Sequence, residues 1–210
     1  AQLQSVVAQS GVNPVHVGRR FRFQQASTDL EASLADPTIN TVVIATRHDS
    51  HAPLVQKALA AGKHVFVEKP LCLNGAELKA IQSAYASHHG VIGASPLLMV
   101  GFNRRFAPLL VDLKQELSRL QGPKAFVYTC NAGAIPADHW TQNPAAGGGR
   151  LLGEACHFVD LLRYLAASPI RDLHLVAAAD RKISPDTFSL QLLFADGSIG
   201  TVHYFANGSK

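Results

Sequence analysis

The sequence predicts an α/β domain built on a parallel sheet, followed by an α+β domain whose sheet is largely antiparallel. Three observations carry this. Thr41-Val42-Val43-Ile44-Ala45-Thr46 and His64-Val65-Phe66-Val67 are apolar strand-like runs, separated by a polar loop and a helix-like stretch through Ala61, which is the order of a βαβ unit. From about Lys124 the texture changes to successive strand-like runs without such long helical spacers. Asp196-Gly197, between the last two of these runs, is a strong hairpin signal because Gly supplies the positive φ that a tight turn needs.

Taken in order, Leu3-Gln4-Ser5-Val6-Val7-Ala8 already reads as a strand, so the chain is expected to open inside a fold. The first strand, glycine turn and helix of a mononucleotide-binding unit, about 30 residues in which a G-x-G-x-x-G fingerprint cradles a pyrophosphate, are missing from this reading. Gly147-Gly148-Gly149 is no substitute, because that fingerprint follows a strand and opens a helix near the start of the sheet. Asn13 to Arg20 and Asp29 to Ala35 read as short helices, the second opened by Asp29 as N-cap. Asn74 starts another, with Glu77 in the capping-box position, running to about Ser87, and His88-His89 reads as its end. Leu97 to Phe102 is the next expected strand and Phe106 to Leu120 a helix. Ala125 to Cys130, Leu173 to Ala179, Thr187 to Phe194 and Ile199 to Phe205 are the strands of the second sheet, with a helix over Leu151 to Leu165 lying on them. The domain boundary is expected near residues 103 to 123, dividing the chain into 1–103 and 104–210.

Composition fits a globular chain and excludes several classes. Its 210 residues suffice for a sizeable core, and 47% hydrophobic with 16% charged residues is not a disordered composition. Nineteen Lys plus Arg against 15 Asp plus Glu give a net charge of +4, scattered rather than clustered. With no basic stripe or aromatic platform, nucleic acid is not an expected partner, whereas an anionic dinucleotide suits the excess. No run reaches the roughly 18 uninterrupted apolar residues of a membrane span, and Ala1 to Gly11 lacks the basic start of a signal peptide. Cys72, Cys130 and Cys156 are odd in number and widely spaced, so they draw neither a disulfide framework nor a zinc pattern, and a cytoplasmic home is expected.

The most informative run is His64-Val65-Phe66-Val67-Glu68-Lys69-Pro70-Leu71-Cys72. A Lys delivered by a strand end and followed by Pro is a placed amine, because Pro fixes its own φ and pushes the preceding residue away from helical geometry. Functional groups in open α/β sheets gather beyond the carboxyl ends of the strands, where Lys69 and the loop Thr46-Arg47-His48-Asp49-Ser50-His51 both lie.

These residues resemble the Gfo/Idh/MocA oxidoreductases. The likeness rests on Val43-Ile44-Ala45-Thr46 with Ser50-His51-Ala52, Gly62 to Pro70, Val100-Gly101-Phe102-Asn103-Arg104-Arg105-Phe106, and Gly147 to Leu152 running on to His157 and Asp160. Gly153-Glu154-Ala155-Cys156-His157-Phe158 and Tyr204-Phe205-Ala206-Asn207-Gly208-Ser209-Lys210 are similar to a branch fused to a zinc-dependent alcohol-dehydrogenase-like module. The resemblance implies a Rossmann-like parallel sheet, incomplete at its first strand and glycine turn, for a partial dinucleotide-binding domain over 1–103. It implies a partial α+β substrate and oligomerisation domain over 104–210.

It further implies an NAD or NADP cofactor and a hydroxyl of a sugar, cyclitol or nucleotide sugar as substrate. By resemblance Lys69 and His157 are catalytic: the imidazole, with an unperturbed pKa of about 6.5, takes the hydroxyl proton while the amine stabilises the oxygen. Thr46, Arg47, His48, His51, Glu68, Lys69, Asn103 and Arg104 line the cofactor side. Lys69, Asn103, Trp140, Glu154, His157 and Asp160 face substrate, with Ile135 to Trp140 a loop suited to stacking on a sugar. Ser50 is expected to cap the helix after it. Asp160, three residues beyond His157, is open between orienting or charge-balancing that His and serving as a structural cap or ion-pair partner. One of Arg104 and Arg105 is expected to be a solvated side chain. No metal is expected, since the two His of the 46–51 loop lack a third ligand.

One departure stands out. The family carries an Asp four residues before the His, and this chain has Gly153 there, with Glu154 one position later and about 100° around the helix. Two other readings stay open: a lyase in which Lys69 forms an imine, and a non-catalytic dinucleotide-binding scaffold. Gln9 and Ser10 carry no acid for a ribose hydroxyl, and Arg19 and Arg20 are too distant in sequence to assign to a 2′-phosphate. The chain by itself is expected to bind dinucleotide weakly, and a homo-oligomer is expected.

Overall fold

The computed structural model describes residues 2–9, 12–87, 95–178 and 186–207. Ser10, His88-His89, Ala179 and Gly208-Ser209-Lys210 lie outside the described residues. The chain forms two compact units: residues 1–45, 50–67 and 74–99, and residues 46–49, 68–73 and 100–210.

In the first unit β1 (Ser5–Val7) leads through α1 (Val12–Phe21) to β2 (Gln25–Ser27), which pairs parallel with it. After α2 (Leu30–Ala35), β3 (Thr41–Ile44), α3 (His51–Ala60) and β4 (His64–Val67) complete the expected βαβ unit. Strands β3 and β4 are parallel, with Thr41 opposite His64 and Ile44 opposite Val67. Following α4 (Gly75–Ala86), β5 (Leu98–Val100) lies on the other edge of β4. Among the described residues these strands form two separate sheets, β1-β2 and β3-β4-β5. The three-residue β2 escapes sequence reading because so short a run carries no alternation.

Local chemistry sets the boundaries. Asp29 accepts a hydrogen bond from Ala32 N–H and opens α2, and Asn74 accepts one from Glu77 N–H and opens α4. Gly62, at φ +70°, closes α3: its N–H donates to Leu59 and the Lys63 N–H to Ala58, a paired termination that turns the chain into β4. Lys63 is itself buried and donates to the carbonyls of Asp36 and Ile39, both at 2.7 Å, tying down the turn before β3. Ser50 sits at the start of α3 but forms no side-chain cap bond, because a 3-10 turn over His48–Ser50 already feeds the helix in αR geometry. The buried face of α3, Ala52, Val55, Ala58 and Leu59, shares this unit's core with Ile44, Val65 and Val67.

In the second unit a 3-10 turn over Asn103–Phe106 precedes α5 (Pro108–Arg119). Four strands follow, β6 (Ala125–Asn131), β7 (Ile170–Ala177), β8 (Phe188–Phe194) and β9 (Ile199–Phe205), in the order β6-β9-β8-β7. Pairs β7/β8 and β8/β9 are antiparallel, while β6 and β9 are parallel. The β8–β9 hairpin turns at Asp196-Gly197, with Gly197 at φ +85° and the Asp196 carboxylate accepting from the Ser198 N–H and hydroxyl. Alternation decides the faces: Phe188, Leu190, Leu192 and Phe194 of β8 and Val202 and Tyr204 of β9 are buried under α6 (Cys156–Ala166). From α6, Phe158, Leu162 and Ala166 fill the same core. The helix expected over Leu151 to Leu165 is therefore divided, since Leu151–Ala155 is a π-turn and only Cys156 onward is α-helix.

Leu192 is central to this core and 2% exposed. Leu192→Ala is expected to cost about 2–5 kcal/mol in urea unfolding, whereas Val127→Thr on the open face of the sheet should stay within about 0.5 kcal/mol.

Candidate active site

Beyond the carboxyl end of β3 the chain exposes Thr46 and Arg47 and then buries His48, which is 8% exposed. The His48 Nδ1–H donates to the Gly147 carbonyl at 2.8 Å, and the Asp49 N–H donates to Ala146 at 3.2 Å. The glycine run makes this docking possible. A Cβ on Gly147 would lie 2.2 Å from the Thr141 Cα, and Gly148 at φ +74° leaves no room beside Leu73. The Asn143 carbonyl gathers the N–H groups of Ala146, Gly147 and Gly148. Gly147-Gly148-Gly149 is thus a tightly folded loop that receives His48.

Beyond the end of β4, Glu68 and Lys69 are half-buried and the Lys69-Pro70 peptide is cis. The Lys69 ammonium donates to the Gly153 carbonyl at 2.6 Å. Glu68 packs its carboxylate over Gly101, where a Cβ would come within 3.1 Å of an oxygen, so the glycine of Val100-Gly101-Phe102 makes room for an acid. Gly153 belongs to the π-turn, and His157 follows in the first turn of α6. The His157 ring stands edge-on to Phe102, centroids 6.2 Å apart, and its Nδ1 is buried with no hydrogen-bond partner among the described residues. Burial lowers the pKa of His157 from its ordinary 6.5, the positive charges of Lys69 and Arg104 lower it further, and Glu68 and Asp160 oppose them. The imidazole is therefore neutral at neutral pH, and Lys69 is close enough for its charge to be felt there.

The two carboxylates expected near substrate are engaged elsewhere. Glu154 accepts from Arg150 at 3.1 and 3.2 Å and from the Tyr204 hydroxyl at 2.6 Å. Arg150, 3% exposed, also donates to the Gly133 carbonyl and stacks on the Tyr204 ring. Burial raises the pKa of Glu154, but the bonds from Arg150 and Tyr204 outweigh it and hold the carboxyl below its usual range. Asp160, 8% exposed, pairs with both Arg105 Nε and a terminal guanidinium nitrogen, and Arg105 covers the Tyr164 ring. The ion-pair alternative for Asp160 is the one observed. Arg104 is the exposed member of its pair and lies over Phe158, with Asn103 exposed beside it.

Trp140 does not present two open faces to a sugar: Arg47 lies 5.6 Å over its ring and His48 meets it edge-on at 4.8 Å. His51 has no exposed surface in the first turn of α3, so its side chain lines no open face. Cys156 sits in the same neighbourhood, and burial pushes its thiol up to about 11 despite the charge of Lys69. Sequence reading missed the Arg150–Glu154–Tyr204 group and the Arg105 pairing. The i, i+4 spacing of Arg150 and Glu154 was the available signal, but its tie to Tyr204 crosses 50 residues.

The segment 1–95 matches the model of an oxidoreductase family with an NAD-binding Rossmann fold, and 123–209 matches the GFO/IDH/MocA C-terminal domain. Scyllo-inositol 2-dehydrogenase (NAD(+)) of Bacillus subtilis strain 168 is 34% identical over 157 residues, 73% of this chain and 43% of that protein. Inositol 2-dehydrogenase of Acidothermus cellulolyticus is 32% identical over 187 residues, 86% of this chain and 52% of the relative. The solved structure of levoglucosan dehydrogenase in complex with NADH and levoglucosan superposes with a TM-score of 0.83 at 26% identity, covering 99% of this chain and 58% of that one. The chain belongs to the Gfo/Idh/MocA oxidoreductase family. It spans about half the length of the curated relatives it matches.

Two measurements follow from these contacts. Glu154→Ala, which strips a carboxylate from buried Arg150, is expected to cost about 1–3 kcal/mol in urea unfolding, discounted because Glu154 itself is partly solvated. His157 binds its proton less readily folded than unfolded, so its contribution to stability is present above pH 6.5 and lost as pH falls below it. His157→Gln should flatten the acid-side decline of Tm.

Proposed function

We propose that this chain is part of an NAD-dependent oxidoreductase acting on a hydroxyl carbon of a sugar, cyclitol or nucleotide sugar. The observation that carries the reading is the approach of Lys69 to the π-turn that leads into the first turn of α6, where His157 lies, joining segments 84 residues apart through one bond to Gly153. The named activities of the inositol and levoglucosan dehydrogenases support the same substrate class. Residues 1–103 would serve the dinucleotide and 104–210 the substrate. Exposed Thr46, Arg47, Asn103 and Arg104 offer hydrogen-bond donors and positive charge that suit a dinucleotide, with NAD preferred to NADP on the names of the relatives.

When bound, the nicotinamide supplies the hydride acceptor. The protein's own groups do the rest. The Lys69 ammonium, held by the Gly153 carbonyl, keeps further donors for the substrate oxygen and stabilises negative charge that develops there. His157, neutral at neutral pH, takes the hydroxyl proton as the carbon gives up its hydride. Glu154 and Asp160 act through Arg150, Tyr204 and Arg105, keeping the π-turn and α6 in place. The open face of the second sheet exposes Val127, Val176 and Ile199, which suits pairing with a second copy. A cytoplasmic location and fusion to an alcohol-dehydrogenase-like module complete the reading.

The test uses the intact protein with NAD and a panel of cyclitols and sugars, following NADH formation. Lys69→Met and His157→Ala are each expected to lower kcat by about 10²–10⁴-fold with Tm retained. Turnover unchanged in both variants would remove the assignment.

A further inference from the structure

His48 borders Gly153, His157 follows it by four residues, and the surroundings of the two rings differ in one decisive respect. His48 has a carbonyl at Nδ1, the Gly147 oxygen at 2.8 Å, so this nitrogen must carry the proton. His157 has nothing at Nδ1, which is buried and without a partner among the described residues. A neutral imidazole carries its proton on one nitrogen and a lone pair on the other. Either group loses a hydrogen bond that water would supply, but an orphaned buried N–H is the less tolerated of the two, which favours the proton on the other nitrogen and the lone pair in the buried position. The two residues on the preceding turn offer it no acceptor. Position 153, four residues before His157, has no side chain, and Glu154 is held by Arg150 and Tyr204. The space a side chain at 153 would enter is already bordered by His48, whose Cε1 would lie 3.2 Å from a Cβ there.

We propose that glycine at position 153 sets the resting tautomer of His157 to Nε2–H. The ring then meets a substrate oxygen as a hydrogen-bond donor and takes up a proton only through its minor Nδ1–H tautomer. Gly153 is in this sense a positioning residue, acting on the reaction through a proton's location. Both the minor tautomer and the imidazolium leave a buried N–H unsatisfied, so His157 is a weaker base than an imidazole whose Nδ1–H is received by a carboxylate. The charged groups around it, Lys69, Arg104, Glu68 and Asp160, act on its charge and do not supply the missing acceptor.

This inference rests on His157 standing at the reacting oxygen, but its test does not require turnover. The intact protein labelled with ¹⁵N-histidine is examined by two-bond nitrogen–proton correlation NMR at pH 8, with His157 assigned from the loss of its signals in His157→Gln. The expected pattern is Nε2–H for His157 and Nδ1–H for His48, the latter an internal control. An Nδ1–H pattern for His157 overturns the proposal and leaves the oxidoreductase reading standing; loss of all NAD-linked turnover does the reverse. The double variant Gly153→Asp/His48→Asn, which returns an acceptor and relieves the close contact, should switch His157 to Nδ1–H and raise its titration midpoint by about one unit or more. A folded double variant whose tautomer stays at Nε2–H also overturns the proposal. If the double variant does not fold, the spectrum of the unaltered protein decides alone.

Discussion

A single hydrogen bond, from the Lys69 ammonium to the carbonyl of Gly153, sets the geometry on which the candidate site depends. A peptide oxygen is a neutral acceptor, so the bond orients the amine without neutralising it, and the remaining ammonium protons stay available to a substrate. That the carbonyl belongs to a π-turn is part of the same arrangement, since such insertions redirect backbone groups that a regular helix would keep in its own ladder.

Support for this bond lies in groups that never need touch a substrate. Arg150, Glu154 and Tyr204 join the π-turn to the centre of the second sheet, while Arg105 and Asp160 join the 103–106 turn to α6. Both are charged clusters around a well-buried member, and their value is directional, because each buried charge tolerates few arrangements that satisfy it. His48 and the glycine loop make a third tie, in which tight backbone packing stands in for charge. The folding core and the site are therefore continuous: Tyr204 is a fully buried core ring whose hydroxyl ends on Glu154.

Much of the fold was legible because its signals are local. The βαβ unit showed itself in Thr41–Ile44, α3 and His64–Val67, and the last hairpin in Asp196-Gly197 between alternating strands. Asp29 and Asn74 marked two helix starts correctly, since a cap acts within three residues of itself. The three-residue β2 and the π-turn were not legible. The first is too short for a period, and the second is a one-residue change of hydrogen bonding inside an otherwise helical pattern.

The sequence by itself determined the βαβ unit, the longer helices and strands of both units and the family likeness, because strand ends, caps and motif spacing are written along the chain. Tertiary structure alone decided which polar groups are occupied. The resemblance implies that Glu154, Asp160 and Trp140 face substrate, and the structure adds the partners each one already has: Arg150 with Tyr204, Arg105, and Arg47 with His48. Whether a buried carboxylate is available depends on which partner satisfies it, and those partners arrive from distant segments that the linear pattern does not bring together.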